Sequence, residues 1–252
     1  MRRTALITGV SRRVGIGTAI ARRLAADGFD LVLHSWSPAD SEQPWGAEDG
    51  WAEELSAELR QTGVRVEHLA ADLADKDAPS AAVRRAVTAY GHLDVVVANH
   101  ARGVNQSLEE LTADEIDLTY AVNTRATLLL VKHFAAQHDG RPGGRVVMLT
   151  SGQHRGPMPG ELPYIASKGA LHQLTRSLSA HLAPRGITVN TVDPGATDTG
   201  YASDAVRQTV LAEEPQGRWG EPDDAARLIA WLAGDESRWV TGQVIVSSGG
   251  GP

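Results

Sequence analysis

Seven short apolar runs rich in β-branched residues, set apart by stretches of a different periodicity, constrain this chain more than any other feature. The runs occupy residues 4–8, 31–34, 64–69, 93–98, 145–150, 187–192 and 243–246. Helical spacing of apolar positions marks 17–27, 52–61, 79–90, 113–138, 164–182 and 222–233. Strands that recur with helices between them pair in parallel, because a parallel connection needs a long crossover, and right-handed crossovers cover both faces with helices. The expected fold is therefore α/β, a single doubly wound, seven-stranded parallel sheet. In such sheets ligands sit beyond the carboxyl ends of the strands. Residues 35–50, with Trp36 and Trp45, read as an extended loop, and residues 197–220 as a flap over a pocket, with a short helical pattern at 202–212. No linker or repeat interrupts the alternation, so residues 1–252 are expected to form one domain.

Composition removes several function classes. With no cysteine, disulfides, thiolate metal sites and a cysteine nucleophile are excluded, and no His-x-x-x-His or acidic cluster suggests a metal. A formal charge of -7 and basic residues gathered only into the pairs Arg2-Arg3, Arg12-Arg13, Arg22-Arg23 and Arg84-Arg85 argue against a nucleic-acid partner. The first apolar run, Ala5-Leu6-Ile7, is too brief for a signal peptide or a spanning helix. A cytoplasmic, membrane-free protein is expected.

The first strand ends in Thr8-Gly9, and Gly15-Ile16-Gly17 opens the first helix. Glycines there permit positive φ and close approach of the backbone to a pyrophosphate, while the helix N-terminus offers free N–H groups and a favourable dipole. Strand, glycine loop and helix in that order point to a dinucleotide and a Rossmann-type fold. Further on, Tyr164-Ile165-Ala166-Ser167-Lys168 sets a phenol and an ammonium four residues apart on one helix face. A cation beside a phenol stabilises the phenolate, which turns a group that titrates near about 10 into an acid/base for work near neutrality.

On these motifs the chain resembles the short-chain dehydrogenase/reductase family. It departs from the family's usual loop, since five residues rather than three separate Gly9 from Gly15; the same lengthening, and Pro44-Trp45-Gly46, are similar to a 3-oxoacyl-carrier-protein reductase-like subgroup. The resemblance implies a catalytic tetrad of Asn123, Ser151, Tyr164 and Lys168, with Ser151 thirteen residues before Tyr164 at the end of a strand. It implies hydride transfer between a nicotinamide and a carbonyl or secondary alcohol, Tyr164 passing the proton, Ser151 holding the substrate oxygen, Asn123 relaying protons through water to Lys168, and Lys168 also holding the ribose.

The resemblance further implies cofactor contacts at Gly9, Ser11, Arg12, Arg13, Gly15, Ile16 and Gly17, at Ser35 and Trp36, at Asp72 and Leu73 by the adenine, at Asn99, and at Pro194, Gly195, Thr197 and Thr199 by the nicotinamide. His100 is read as packing. His34-Ser35-Trp36-Ser37 lacks the acid that NAD-preferring relatives use on the ribose, and Arg12 and Arg13 suit a 2′-phosphate, so NADP(H) is favoured with NAD(H) as the alternative. Asp40 or Glu42 reaching the ribose would favour NAD(H) instead. Gln153, His154, Met158 and Tyr201, with Ser151, are the substrate-facing candidates. The substrate is expected to be a small-molecule or acyl-thioester carbonyl; a 3-oxoacyl thioester, a sugar, a steroid and a secondary-metabolite ketone all fit the motifs. A non-catalytic dinucleotide sensor is the reading from another class. Relatives pair their long fourth and fifth helices, which implies a homodimer or homotetramer, with the stripe Leu171, Leu174, Leu178 and Leu182 open to either an interface or the chain's own sheet.

Overall fold

The computed structural model describes residues 2–251. Among them, seven strands form one sheet: β1 (Thr4–Ile7), β2 (Asp30–Ser35), β3 (Val66–Ala70), β4 (Val95–Ala98), β5 (Gly144–Leu149), β6 (Ile187–Asp193) and β7 (Val244–Val246). Their order is β3-β2-β1-β4-β5-β6-β7, and every neighbouring pair is parallel. This is the expected Rossmann fold.

The two-residue period of a strand divides the core. Ala5 and Ile7 face one layer with helices α1 (Ile16–Ala26) and α3 (Trp51–Arg60), through Ile20, Leu24 and Leu55. Leu6 faces the other, with α4 (Ala78–Tyr90), α6 (Ala126–Gln137) and α7 (Leu162–Leu182), through Val83, Phe134 and Leu171. The last helix, α9 (Pro222–Ala233), closes the first layer with Ile229. Each wholly buried Leu or Ile removes enough apolar surface from water to favour folding by roughly 1.5–3 kcal/mol. Of the apolar stripe on α7, Leu171, Leu178 and Leu182 pack into the second layer, so the stripe serves the chain's own sheet. Leu232 is buried too, whereas Trp231 is 40% and Trp239 93% exposed.

Three departures from the periodicity matter for the site. The stretch 113–138 is not one helix: α5 (Ala113–Tyr120) passes through a π-helical turn, Ala121–Arg125, before α6 begins. The stretch 35–50 contains a short helix, α2 (Ser37–Ser41), started by Pro38, whose fixed φ suits a first turn. In the flap, α8 (Asp204–Glu213) is capped by Ser203 Oγ accepting from Val206 N at 3.4 Å. The flap's ends are tied together, Asp198 N donating to Gly220 O at 2.8 Å and Gly220 N to Ala196 O at 2.9 Å. No helix among the described residues is long and apolar enough to cross a membrane.

Candidate active site

The strand order reverses between β1 and β4, and the loops leaving their carboxyl ends part to open a cleft. On the β5 side of it, hydrogen bonds fix the start of α7. Thr150 Oγ1 donates to Lys168 O at 3.0 Å, Thr124 Oγ1 to Ser167 O at 3.2 Å, and Ser167 Oγ to Tyr164 O at 2.7 Å. Tyr164 and Lys168 share a face of this helix, with the Lys168 Nζ 5.8 Å from the Tyr164 ring centre. That ammonium, 2% exposed, donates to Leu149 O at 2.9 Å. Burial pushes it down to about 8 and pushes the Tyr164 phenol up to about 12, while a hydrogen bond from Ser151 pulls the phenol the other way. Burial disfavours each charged form, so the resting pair carries a protonated phenol.

Asn123 lies inside the π-helical turn and is fully buried. Its Oδ1 accepts from Arg102 N at 2.7 Å, and its Nδ2 donates to Arg102 O at 2.9 Å and to Ser167 Oγ at 2.8 Å. Both amide protons are thus used and one lone pair is left. Among the described residues its side chain makes no hydrogen bond to the side chains of Tyr164 or Lys168; it is linked to Tyr164 through Ser167. Gln153 is turned inward: its Oε1 accepts from Ser151 N at 3.1 Å and its Nε2 donates to Thr150 Oγ1 at 2.9 Å, so it braces the serine loop. His154 lies against His172, ring centres 4.8 Å apart, with its Nδ1 3.1 Å from Ser151 O. Met158 is half-buried in the same loop, and Tyr201, 47% exposed, packs edge-on to Trp219 from the flap.

The cleft itself has a volume of about 510 Å³ and is bordered by Gly9, Ser11, Arg12, Gly15, Ile16, Trp36, Asp72, Leu73, Asn99 and Thr199 among the expected cofactor residues. Gly9 has φ +75°, and a Cβ there would come within 2.8 Å of the His100 backbone. Arg12 lies over the Trp45 ring at 4.8 Å, and its Nε is buried with no partner among the described residues. A glycine cradle and an orphaned guanidinium nitrogen in one cleft fit a phosphate-bearing dinucleotide.

Other expected contacts do not border this cavity, and neither do Ser151, Tyr164 and Lys168. Arg13 turns to the opposite side of the loop, pairs with Glu54 at 2.9 Å and lies 3.9 Å over Trp51, because the acids of and before α3 draw it there. Ser35 is buried and hydrogen-bonds His68 Nε2 at 2.8 Å, since the pleat turns it away from the cleft. Gly17 packs beneath the loop, where a Cβ would collide with Gly9 O. Pro194, Gly195 and Thr197 form a turn outside the cleft lining, Thr197 Oγ1 donating to Pro194 O at 3.1 Å. Both nearby acids reach the cleft but are engaged: Asp40 accepts from Trp45 Nε1 at 3.1 Å, and Glu42 pairs with Arg102 at 2.9 Å. His34 and His100 are buried and held neutral, at about 4 and about 3, by loss of solvent. His100 joins Thr8 Oγ1 at 2.7 Å to Val122 O at 2.9 Å, which is a packing role.

Arg102 was not legible as a site residue. It borders the cleft, and Glu115 receives its guanidinium at two points, 2.7 and 2.9 Å. Its one sequence signal is its place three residues after Asn99.

A family profile described as enoyl-(acyl carrier protein) reductase matches residues 9–251. An uncharacterized oxidoreductase of Bacillus subtilis, YjdA, is 42% identical over 98% of this chain and 95% of its own length. The chain belongs to the short-chain dehydrogenase/reductase family. A solved short-chain dehydrogenase from Burkholderia cenocepacia, in complex with NADP, is 38% identical over 99% of this chain and 97% of that one, with a TM-score of 0.88. LugOII, a promiscuous reductase that catalyses keto-reduction at C1 in lugdunomycin biosynthesis, is 36% identical over 98% of this chain and 96% of its own, with a TM-score of 0.85. This short-chain dehydrogenase/reductase is thus an NAD(P)-dependent oxidoreductase of carbonyls or alcohols.

Proposed function

We propose that this enzyme is an NADP(H)-dependent reductase of small-molecule ketones, with Tyr164, Ser151 and Lys168 at the reacting oxygen and Asn123 behind them. The observation that carries it is the placement of Tyr164 and Lys168 on one face of α7, the Lys168 Nζ 5.8 Å from the Tyr164 ring centre, with Ser151 at the end of the neighbouring strand. When bound, the dinucleotide supplies the hydride. A phenol held at about 12 keeps its proton at neutral pH, so Tyr164 Oη is set to give that proton to a carbonyl oxygen. The Ser151 hydroxyl donates to the same oxygen, and the Lys168 ammonium stabilises the phenolate left behind. Arg12, with its orphaned Nε, supports the NADP(H) preference, as does the NADP held by the Burkholderia relative. A second reading, 3-oxoacyl thioester reduction, is supported by the lengthened loop and by Pro44-Trp45-Gly46.

The test is loss of nicotinamide absorbance with NADPH or NADH against ketones, quinones, sugars and an acetoacetyl thioester, with Tyr164→Phe as control. Turnover that prefers NADPH and disappears in the variant is the expected result. Tight cofactor binding with wild type and variant equally inert across the panel would favour a dinucleotide sensor.

A further inference from the structure

One guanidinium joins the two walls of the dinucleotide cleft. β2 and β4 lie on either side of β1 in the sheet, so the segments leaving their carboxyl ends flank the glycine loop. Glu42 belongs to the first segment and Arg102 to the second, and both border the cleft. Arg102 Nη1 donates to Glu42 Oε2 at 2.9 Å, which ties wall to wall. The first segment is also held at its base, where Trp36 N donates to Ser11 Oγ at 3.1 Å, and is braced within by Trp45 Nε1 donating to Asp40. The two acids on Arg102 differ in kind. Glu115 takes Nε at 2.7 Å and Nη2 at 2.9 Å, accepts a further bond from Thr119 Oγ1 at 2.8 Å, and has a side chain 12% exposed. Glu42 takes a single bond, and its side chain is 60% exposed.

A shielded, bidentate pair keeps its geometry, whereas a single-point pair open to water is worth little and breaks readily. Arg102 is therefore a fixed post, its guanidinium held by Glu115 and its backbone by Asn123, and the bond to Glu42 is the one that yields. The exposure of Glu42 puts that bond at the outer edge of the cleft rather than on its floor. We propose that the Glu42–Arg102 pair is a strap across the mouth of the cleft, which breaks as the dinucleotide enters or leaves and closes again behind it. Both are positioning residues for cofactor exchange. A strap closed before entry and closed again afterwards raises the barrier in both directions, so it slows binding and release by one factor and leaves the affinity in place. A group that touches the bound nucleotide changes the affinity instead. A carboxylate that merely repels a 2′-phosphate acts on NADPH and spares NADH.

The experiment is stopped-flow fluorescence of NADPH and of NADH with wild type, Glu42→Gln and Glu42→Ala, release being followed by displacement with excess oxidised nucleotide. Association and dissociation rate constants are both expected to rise about three- to fivefold in each variant, with either nucleotide, as the loss of one exposed ion pair allows. The ratio of the two rate constants for NADH is expected to change less than about twofold. Melting temperatures within error of wild type establish that the variants are folded; should Glu42→Ala melt early, Glu42→Gln decides alone. Rates that match wild type in a folded variant overturn the strap. A change confined to dissociation, or to NADPH, overturns it too and makes Glu42 a group that acts on the bound nucleotide directly.

Discussion

Arg102 and Asn123 hold each other by reciprocal hydrogen bonds, the Arg102 amide donating to Asn123 Oδ1 at 2.7 Å and Asn123 Nδ2 returning a bond to Arg102 O at 2.9 Å. The second Nδ2 proton goes to Ser167 Oγ, which itself donates to Tyr164 O. Asn123 therefore joins the loop after β4 to the first turn of α7. Asn123→Ala strands the part-buried Arg102 N–H and carbonyl at once and takes from Ser167 Oγ one of its two bonds. The expected cost is about 2–4 kcal/mol of stability. Thermal unfolding should show it, together with a fall in kcat larger than the rise in KM. A variant that melts like wild type would contradict this role.

Lys168 separates stability from activity. Burial lowers its pKa from 10.5 to about 8, so between those values the unfolded chain binds more protons than the folded one and wild-type stability rises with pH. Below pH 8 the full burial penalty applies. Lys168→Met removes the penalty and the hydrogen bond to Leu149 O together, and is expected to stabilise the cofactor-free protein at pH 7 by on the order of 2 kcal/mol. That advantage should shrink as pH climbs from 8 towards 10.5, while activity falls at least about hundredfold at every pH. Urea unfolding at pH 7 and pH 10 measures the difference, and a variant less stable than wild type at pH 7 would refute the assignment.

Arg12 should act on one cofactor and not the other. Its guanidinium lies over Trp45 with Nε unpartnered among the described residues, and Gly200 Cα carries no side chain to block its other end, 3.5 Å from where a Cβ would stand. Arg12→Leu is expected to weaken NADPH binding by about ten- to a hundredfold and NADH binding by less than about threefold, since only a 2′-phosphate gains from the charge. Nucleotide fluorescence titration reads both. Equal weakening would place Arg12 at the shared pyrophosphate.

The difference between Arg12 and Arg13 shows where sequence reading stops. Tyr164 and Lys168 are legible because four residues along a helix define a direction, and the glycine loop is legible because strand and helix flank it. Two adjacent loop arginines carry no such direction; Glu54, distant in the chain, takes Arg13 away. The π-helical turn around Asn123 is hidden for a related reason: residues 113–138 keep an apolar face throughout, so periodicity reports one helix where one extra residue per turn rotates Asn123 inward. Arg102 is defined by the partners it finds in space, Asn123 and Glu115, which no local pattern encodes.

Asp193 ends β6 as a wholly buried carboxylate just before Pro194 and Gly195. Its Oδ1 accepts from Gly195 N at 3.0 Å and its Oδ2 from Arg155 Nε at 2.8 Å; Arg155 also donates to Gly251 O at 2.9 Å. One ion pair thus joins the serine loop, the turn expected beside the nicotinamide, and the C-terminal segment. Arg155→Leu leaves the carboxylate buried without its cation, a loss of about 3–5 kcal/mol, whereas Asp193→Asn removes the charge and keeps an acceptor for Gly195. The single arginine variant is therefore expected to melt lower than Arg155→Leu combined with Asp193→Asn, an ordering opposite to simple addition of two defects. Differential scanning calorimetry on the set decides it. If the double variant is the less stable, Arg155 contributes through its packing and its bond to Gly251 rather than by neutralising Asp193.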